Sequence, residues 1–152
     1  MLFGRKDEMD RLNEIYSMHG LRTCSVLGRR GVGKTSLLEE FTKGKRSINI
    51  QFVDGPNVEN MTLLNMHISE FLGQDIPEYD SMIRYFEILG EICKESPTVI
   101  VLDELPYLIK NYPASASIIQ RFLDRTIRDT DTMFIICGSV TSVMRKETES
   151  YS

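Results

Sequence analysis

Gly28-Arg-Arg-Gly-Val-Gly33-Lys34-Thr35-Ser36 spaces its residues as GxxxxGK[ST], with a further glycine, Gly31, among the variable positions. A loop of this kind wraps a phosphate. Its glycines remove the Cβ atoms that would keep backbone N–H groups from the anion. A helix starting at Lys34 aims its N-terminus at the same charge. Lys34 is placed to reach the outer phosphates of a nucleotide and Thr35 offers a hydroxyl to Mg2+. Gly28, Arg29, Arg30, Gly31, Val32, Gly33, Lys34, Thr35 and Ser36 are therefore the nucleotide-binding candidates. The plain alternative is a glycine-rich turn with a solvated lysine. The setting between a strand and an amphipathic helix speaks against it.

A phosphate socket hydrolyses nothing unless an acid organises metal and water beside it. Val99-Ile100-Val101-Leu102-Asp103-Glu104 supplies four apolar residues and then two carboxylates. A buried strand would carry Asp103 to the C-terminal edge of a parallel sheet, where ligands bind in open α/β folds. Asp103 can then hold Mg2+ through water, and Glu104 can act as general base on the attacking water. The bland reading is a strand followed by an acidic turn. A third polar position ends the run Phe134-Ile-Ile-Cys-Gly138-Ser139. Ser139 could touch the γ-phosphate or the water, with Thr141 as a substitute, or it could simply cap the next helix.

Positioning these residues needs strands alternating with helices. Residues 5–18 carry Met9, Leu12, Ile15 and Tyr16 at helical spacing, closed by Gly20. Residues 22–27 read as a strand entering the loop, and 34–43 as a helix with Leu37, Leu38 and Phe41 inward. Residues 48–53 alternate as a strand before the turn DGPN. Residues 59–72 and 79–94 read as helices, the first facing inward with Met61, Leu64, Ile68 and Phe71 or Leu72. The second does so with Met82, Ile83, Phe86, Leu89 and Cys93. Residues 98–103 and 132–138 are unbroken apolar strands, as parallel strands covered on both faces are. Residues 115–129 read as a helix, and the tail as a short helix with a frayed end. The pattern predicts an α/β/α sandwich around a mainly parallel sheet.

Composition sets few further bounds. The chain has 152 residues, enough for one domain over 1–152. A net charge of −4 carries no global signal for nucleic acid or acidic lipid. No apolar run is long enough to span a bilayer, and the N-terminus lacks a signal-peptide core, so a cytoplasmic protein without a membrane partner is expected. Cys24, Cys93 and Cys137 lack CxxC spacing and read as small buried hydrophobes.

Three stretches together resemble the archaeal-type P-loop ATPase family, near the AAA+ and STAND groups. They are Phe3-Gly4-Arg5 with following acids and Leu12, GRRGVGKTSLL, and the pair VIVLDELPYLI and FIICGS. The resemblance covers nearly the whole chain in order. It implies ATP and Mg2+, with Gly28–Thr35 as Walker A, Asp103 and Glu104 as Walker B, and Ser139 at the sensor 1 position. Leu2–Arg5, with Phe3 and Arg5, would lie near the adenine. It also implies strand order 5-1-4-3-2, and relatives that continue into a fifth strand, a helical lid and a winged helix. The chain is therefore expected to be the N-terminal part of a longer architecture. Its 22–27 strand would have an open edge that invites self-association.

Arg121, Arg125 and Arg128 recur at i, i+4 and i+7, and Arg145 follows the last strand. Each is an arginine-finger candidate for a neighbour's γ-phosphate or, for the first three, a contact to a phosphate backbone. A solvated face is the plainer reading. The function expected is Mg-ATP hydrolysis with Glu104 activating water. The alternative is an ATP/ADP-dependent switch with little turnover. A GTPase is disfavoured by the lack of an NKxD motif. Neither a DNA nor a protein client is indicated by charge.

Overall fold

In the computed structural model, residues 5–28 and 33–139 are described, with side chains over 6–26 and 33–138. Phe3, residues 29–32, Thr141, Arg145 and the expected tail helix lie outside the described residues.

The elements in chain order are α1 (Arg5–Tyr16), β1 (Arg22–Gly28), α2 (Lys34–Thr42), β2 (Ser47–Gln51), α3 (Asn57–Leu72) and α4 (Met82–Glu95). They continue with β3 (Thr98–Asp103), α5 (Leu105–Asn111), α6 (Ala114–Arg121), a π-helical turn (Phe122–Thr126) and β4 (Thr132–Ser139). The four strands form one parallel sheet in the order β1-β4-β3-β2. This is the 1-4-3-2 part of the expected order. No strand among the described residues pairs with the outer edge of β1.

β3 and β4 are the central strands, and every residue of β3 is buried. That is why both lack the polar alternation of a half-exposed strand. Side chains alternate between the two faces with period two. Ile100, Leu102, Phe134 and Ile136 point into a core closed by α3, α4, α5 and α6. Val99, Val101, Met133, Ile135 and Cys137 point to the other face, under Leu12 of α1 and Leu37, Leu38 and Phe41 of α2. The result is a three-layer α/β/α sandwich. No helix among the described residues is long and apolar enough to cross a membrane.

The structure differs from the sequence reading in four places. α1 ends at Tyr16, and Gly20, at φ 83°, serves the turn into β1 instead. α4 starts at Met82, and its inward face is rotated: Ile83 is 51% exposed while Tyr85 is buried. Tyr85 tolerates burial because its hydroxyl oxygen accepts hydrogen bonds from Asn65 Nδ2 at 3.1 Å and the Tyr79 N–H at 2.9 Å. α5 follows β3 directly, over residues to which the sequence reading assigned no element; Pro106 stands in its first turn, where its missing N–H costs nothing. The single helix expected over 115–129 is α6 and the π turn. There the Ile127 N–H donates to the Phe122 carbonyl at 3.0 Å. At about 100° per residue an α-helix would turn Ile127 well away from Phe122. The widened turn lets Phe122, Leu123 and Ile127 all enter the core.

Candidate nucleotide site

β1 delivers the glycine loop to the C-terminal edge of the sheet, and α2 leaves from it. Gly28 ends β1 in register with Ser139 of β4, so the first loop residue and the last β4 residue are neighbours. Gly33 precedes α2 at φ 84°, ψ 18°, a left-handed conformation that glycine adopts without a Cβ penalty. Lys34 opens the helix and is only 8% exposed. Ser36, the next candidate but one, is exposed. Arg29, Arg30, Gly31, Val32 and Phe3 fall outside the described residues. Arg5 opens α1, with its side chain likewise outside them.

Thr35 and Asp103 are brought together across 68 residues. The Thr35 hydroxyl donates to Asp103 Oδ2 at 2.8 Å. Asp103 is 5% exposed, and its other oxygen, Oδ1, is buried with no hydrogen-bond partner among the described residues. A buried carboxylate oxygen without a donor is costly. Its chemistry suits a hydrated divalent cation, and Thr35 and Asp103 fit Mg2+, which takes few protein ligands beside water and phosphate.

Glu104 follows at φ 57°, ψ 41°, the one positive-φ residue other than glycine among the described residues. Such backbone strain costs on the order of 1–3 kcal/mol and persists only where the surroundings hold it. Here α5 begins at once, with the Tyr107 N–H donating to the Glu104 carbonyl at 3.1 Å. Gly138 of β4 lies against the same turn. A Cβ at Gly138 would stand 2.7 Å from Pro106 Cδ and 3.7 Å from Glu104 Cα. The glycine therefore lets β4 pass close to the turn that presents Glu104. Its tight fit was missed in the sequence, where Gly138 looked like a strand ending.

Cys137 is Asp103's partner in register. Burial and the adjacent Asp103 carboxylate push its thiol pKa up, and Lys34 and Glu104 also act on it. Lys34, Asp103 and Glu104 thus surround one point at the sheet edge. Beside them a cleft of about 450 Å³ opens between α2, β2 and α3. Gln51 and His67 share its walls with Thr35 and Asp103. Burial holds the His67 pKa below its ordinary value, against the pull of Glu70. No sequence motif marked Gln51 or His67, because each only completes the periodicity of its own element. Arg121 and Arg125 lie elsewhere, on the groove between α4 and α6.

Residues 2–152 match the model of a family described as an ATPase domain predominantly from Archaea. An uncharacterised protein of Methanocaldococcus jannaschii is 28% identical over 151 residues, 99% of this chain and 32% of that protein. A Walker-type ATPase of Pyrococcus abyssi superposes with TM-score 0.72 at 20% identity, covering 97% of this chain and 48% of that one. Cdc6p of Pyrobaculum aerophilum gives TM-score 0.65 at 17% identity, over 99% and 45%. At these identities the two solved structures speak for the fold. The chain spans about a third of the length of the M. jannaschii relative and about half that of the solved ones.

Proposed function

The chain belongs to the family of ATPase domains found predominantly in Archaea, and from that premise we propose that residues 1–152 act as one ATPase core that binds and hydrolyses Mg-ATP in the cytoplasm. The observation that carries this reading is the Thr35–Asp103 hydrogen bond with Asp103 Oδ1 buried and unpartnered beside it. That pair would hold Mg2+, which when bound neutralises charge on the phosphates. Lys34, at the head of α2, adds a second positive charge, and the helix N-terminus a third, partial one. The loop 28–35 holds the phosphates by backbone N–H groups. By the family resemblance, Phe3 and Arg5 would contact the base.

Glu104 accepts the proton of the attacking water, so that hydroxide character develops as the phosphoryl group departs. Its strained backbone supports that role, since it aims the carboxylate from a fixed turn. Ser139, adjacent to Gly28 in register, orients the water or the γ-phosphate. The decisive experiment is Glu104→Gln. The variant should bind ATP as the parent does, by calorimetry, and lose hydrolysis by about 10²–10⁴-fold. Turnover at the parent rate would remove Glu104 from the chemistry. A parent that binds ATP tightly with no measurable hydrolysis would instead be the nucleotide-dependent switch. GTP binding as tight as ATP would remove the base assignment.

The edge of β1, unpaired among the described residues, supports self-association as a second property. Sedimentation velocity at several concentrations tests it, and a monomer throughout would discard it. The net charge of −4 gives no footing for nucleic acid as client.

A further inference from the structure

A groove of about 600 Å³ runs between α4 and α6, and its lining includes none of Lys34, Thr35, Asp103 or Glu104. Its floor is apolar. Phe86 and Phe122 meet edge to face at 5.1 Å beneath it, both buried. Ile83 stands on one wall, 51% exposed, and Ile118, half-buried, on the other. Arg121 and Arg125 form the rim on the α6 side, both exposed. Neither has an ion pair or hydrogen bond among the described residues. The acid on the opposite wall, Glu87, is already held by Arg84 at 3.2 Å.

We propose that this groove docks an acidic segment of a partner protein, anchored by aliphatic side chains against Ile83 and Ile118 and by carboxylates on Arg121 and Arg125. Two features decide the chemistry of the occupant. Two guanidiniums without a partner among the described residues, at the edge of an apolar floor, favour carboxylates, which they can take in bidentate fashion. The most exposed apolar contact, Ile83, is aliphatic, whereas Phe86 and Phe122 are buried and Tyr112, at the end of the groove, is half-buried. Single-stranded nucleic acid would need open aromatic faces for its bases. A segment with apolar residues at i and i+4 fits a groove between two helices. On this reading Arg121 and Arg125 are recognition residues on a helical face.

The test uses the full chain and two labelled 16-residue helical peptides. Each carries leucines at i and i+4; one is flanked by glutamates and its match by lysines. Fluorescence anisotropy should give at least tenfold tighter binding for the glutamate peptide, and the Ile83 and Ile118 methyl resonances should shift. Arg121→Glu/Arg125→Glu should reverse the preference toward the lysine peptide, which a merely misfolded variant would not do. Ile83→Asp should weaken binding tenfold or more. The proposal is overturned if neither peptide binds at millimolar concentration, if both bind equally, or if the double variant keeps the parent's preference. It is also overturned if a DNA oligonucleotide displaces the glutamate peptide and shifts the same methyls. Loss of a dimer in Ile83→Asp, with no peptide binding by the parent, would assign the groove to a second copy of the chain instead.

Discussion

Thr35 and Asp103 show how one hydroxyl decides the state of a buried acid. With Thr35 present, one carboxylate oxygen of Asp103 has a donor at 2.8 Å. Thr35→Val would remove the donor to Oδ2, a cost of about 1–3 kcal/mol. Denaturant unfolding without nucleotide should therefore show a lower midpoint, and Mg2+ should no longer enhance ATP binding. The thiols argue in the opposite sense. Burial pushes Cys24 and Cys93 up to about 11. A raised thiol pKa keeps the group protonated until the pH nears the new value. At pH 8 only about one thiol in a thousand is ionised. Alkylation by iodoacetamide should be slow at pH 8 and rise about tenfold per pH unit toward pH 10. Fast labelling at pH 7 would contradict the burial described. Cys93 and Cys137 are buried as their sequence suggested, whereas Cys24 is only partly so.

Two close approaches govern how the elements meet. Gly138 lets β4 pass the Glu104–Pro106 turn. Gly138→Ala would push a methyl to 2.7 Å from Pro106 Cδ, and the turn must shift. Hydrolysis should fall while ATP binding persists; equal loss of both would mean the strand itself had failed. Gly90 of α4 faces Thr126 of the π turn, where a Cβ would lie 2.4 Å from Thr126 Cγ2. Gly90→Ala should cost about 1–3 kcal/mol by overpacking. Thr126→Ser, which deletes that methyl, should restore most of it in the double variant. At the other end of the sheet the Arg22 guanidinium joins α1, β1 and β4. It donates to the carbonyls of Ile15, Tyr16 and Gly20 and to the Asp131 carboxylate.

Across the whole molecule, nucleotide binding and folding are linked. A ligand that binds only the folded chain stabilises it by about 2.7 kcal/mol at a hundred times its dissociation constant. For a chain of this length that raises Tm by roughly 5–10 °C. Calorimetric scans should show the rise with Mg-ATP. Lys34→Ala should abolish it, because the lysine and helix head act on the same phosphates. An unchanged rise in that variant would remove the glycine loop from nucleotide binding.

The candidate site motifs could be picked out in the sequence because each is local. Gly28–Ser36 carries its own loop, and Val99–Glu104 is a buried strand ending in two acids. Alternation located the strand at 48–53, unbroken apolar runs located those at 98–103 and 132–138, and helical spacing gave the inward stripe of α2. The face of α4 was misplaced because Tyr85 is buried through hydrogen bonds from Asn65 and Tyr79, which spacing cannot express. α5, only 7 residues long, is too short to show a helical period of its own. The π turn was hidden because it answers the volume beneath Ile127 rather than any local preference. The motifs, the family and the parallel α/β architecture were thus determined by the sequence itself. Only the tertiary structure decided the Thr35–Asp103 bond, the strain at Glu104, the fit of Gly138 on Pro106 and the groove under Arg121 and Arg125. Each depends on atoms far apart along the chain, whose contact is set by packing and not by any property of either segment alone.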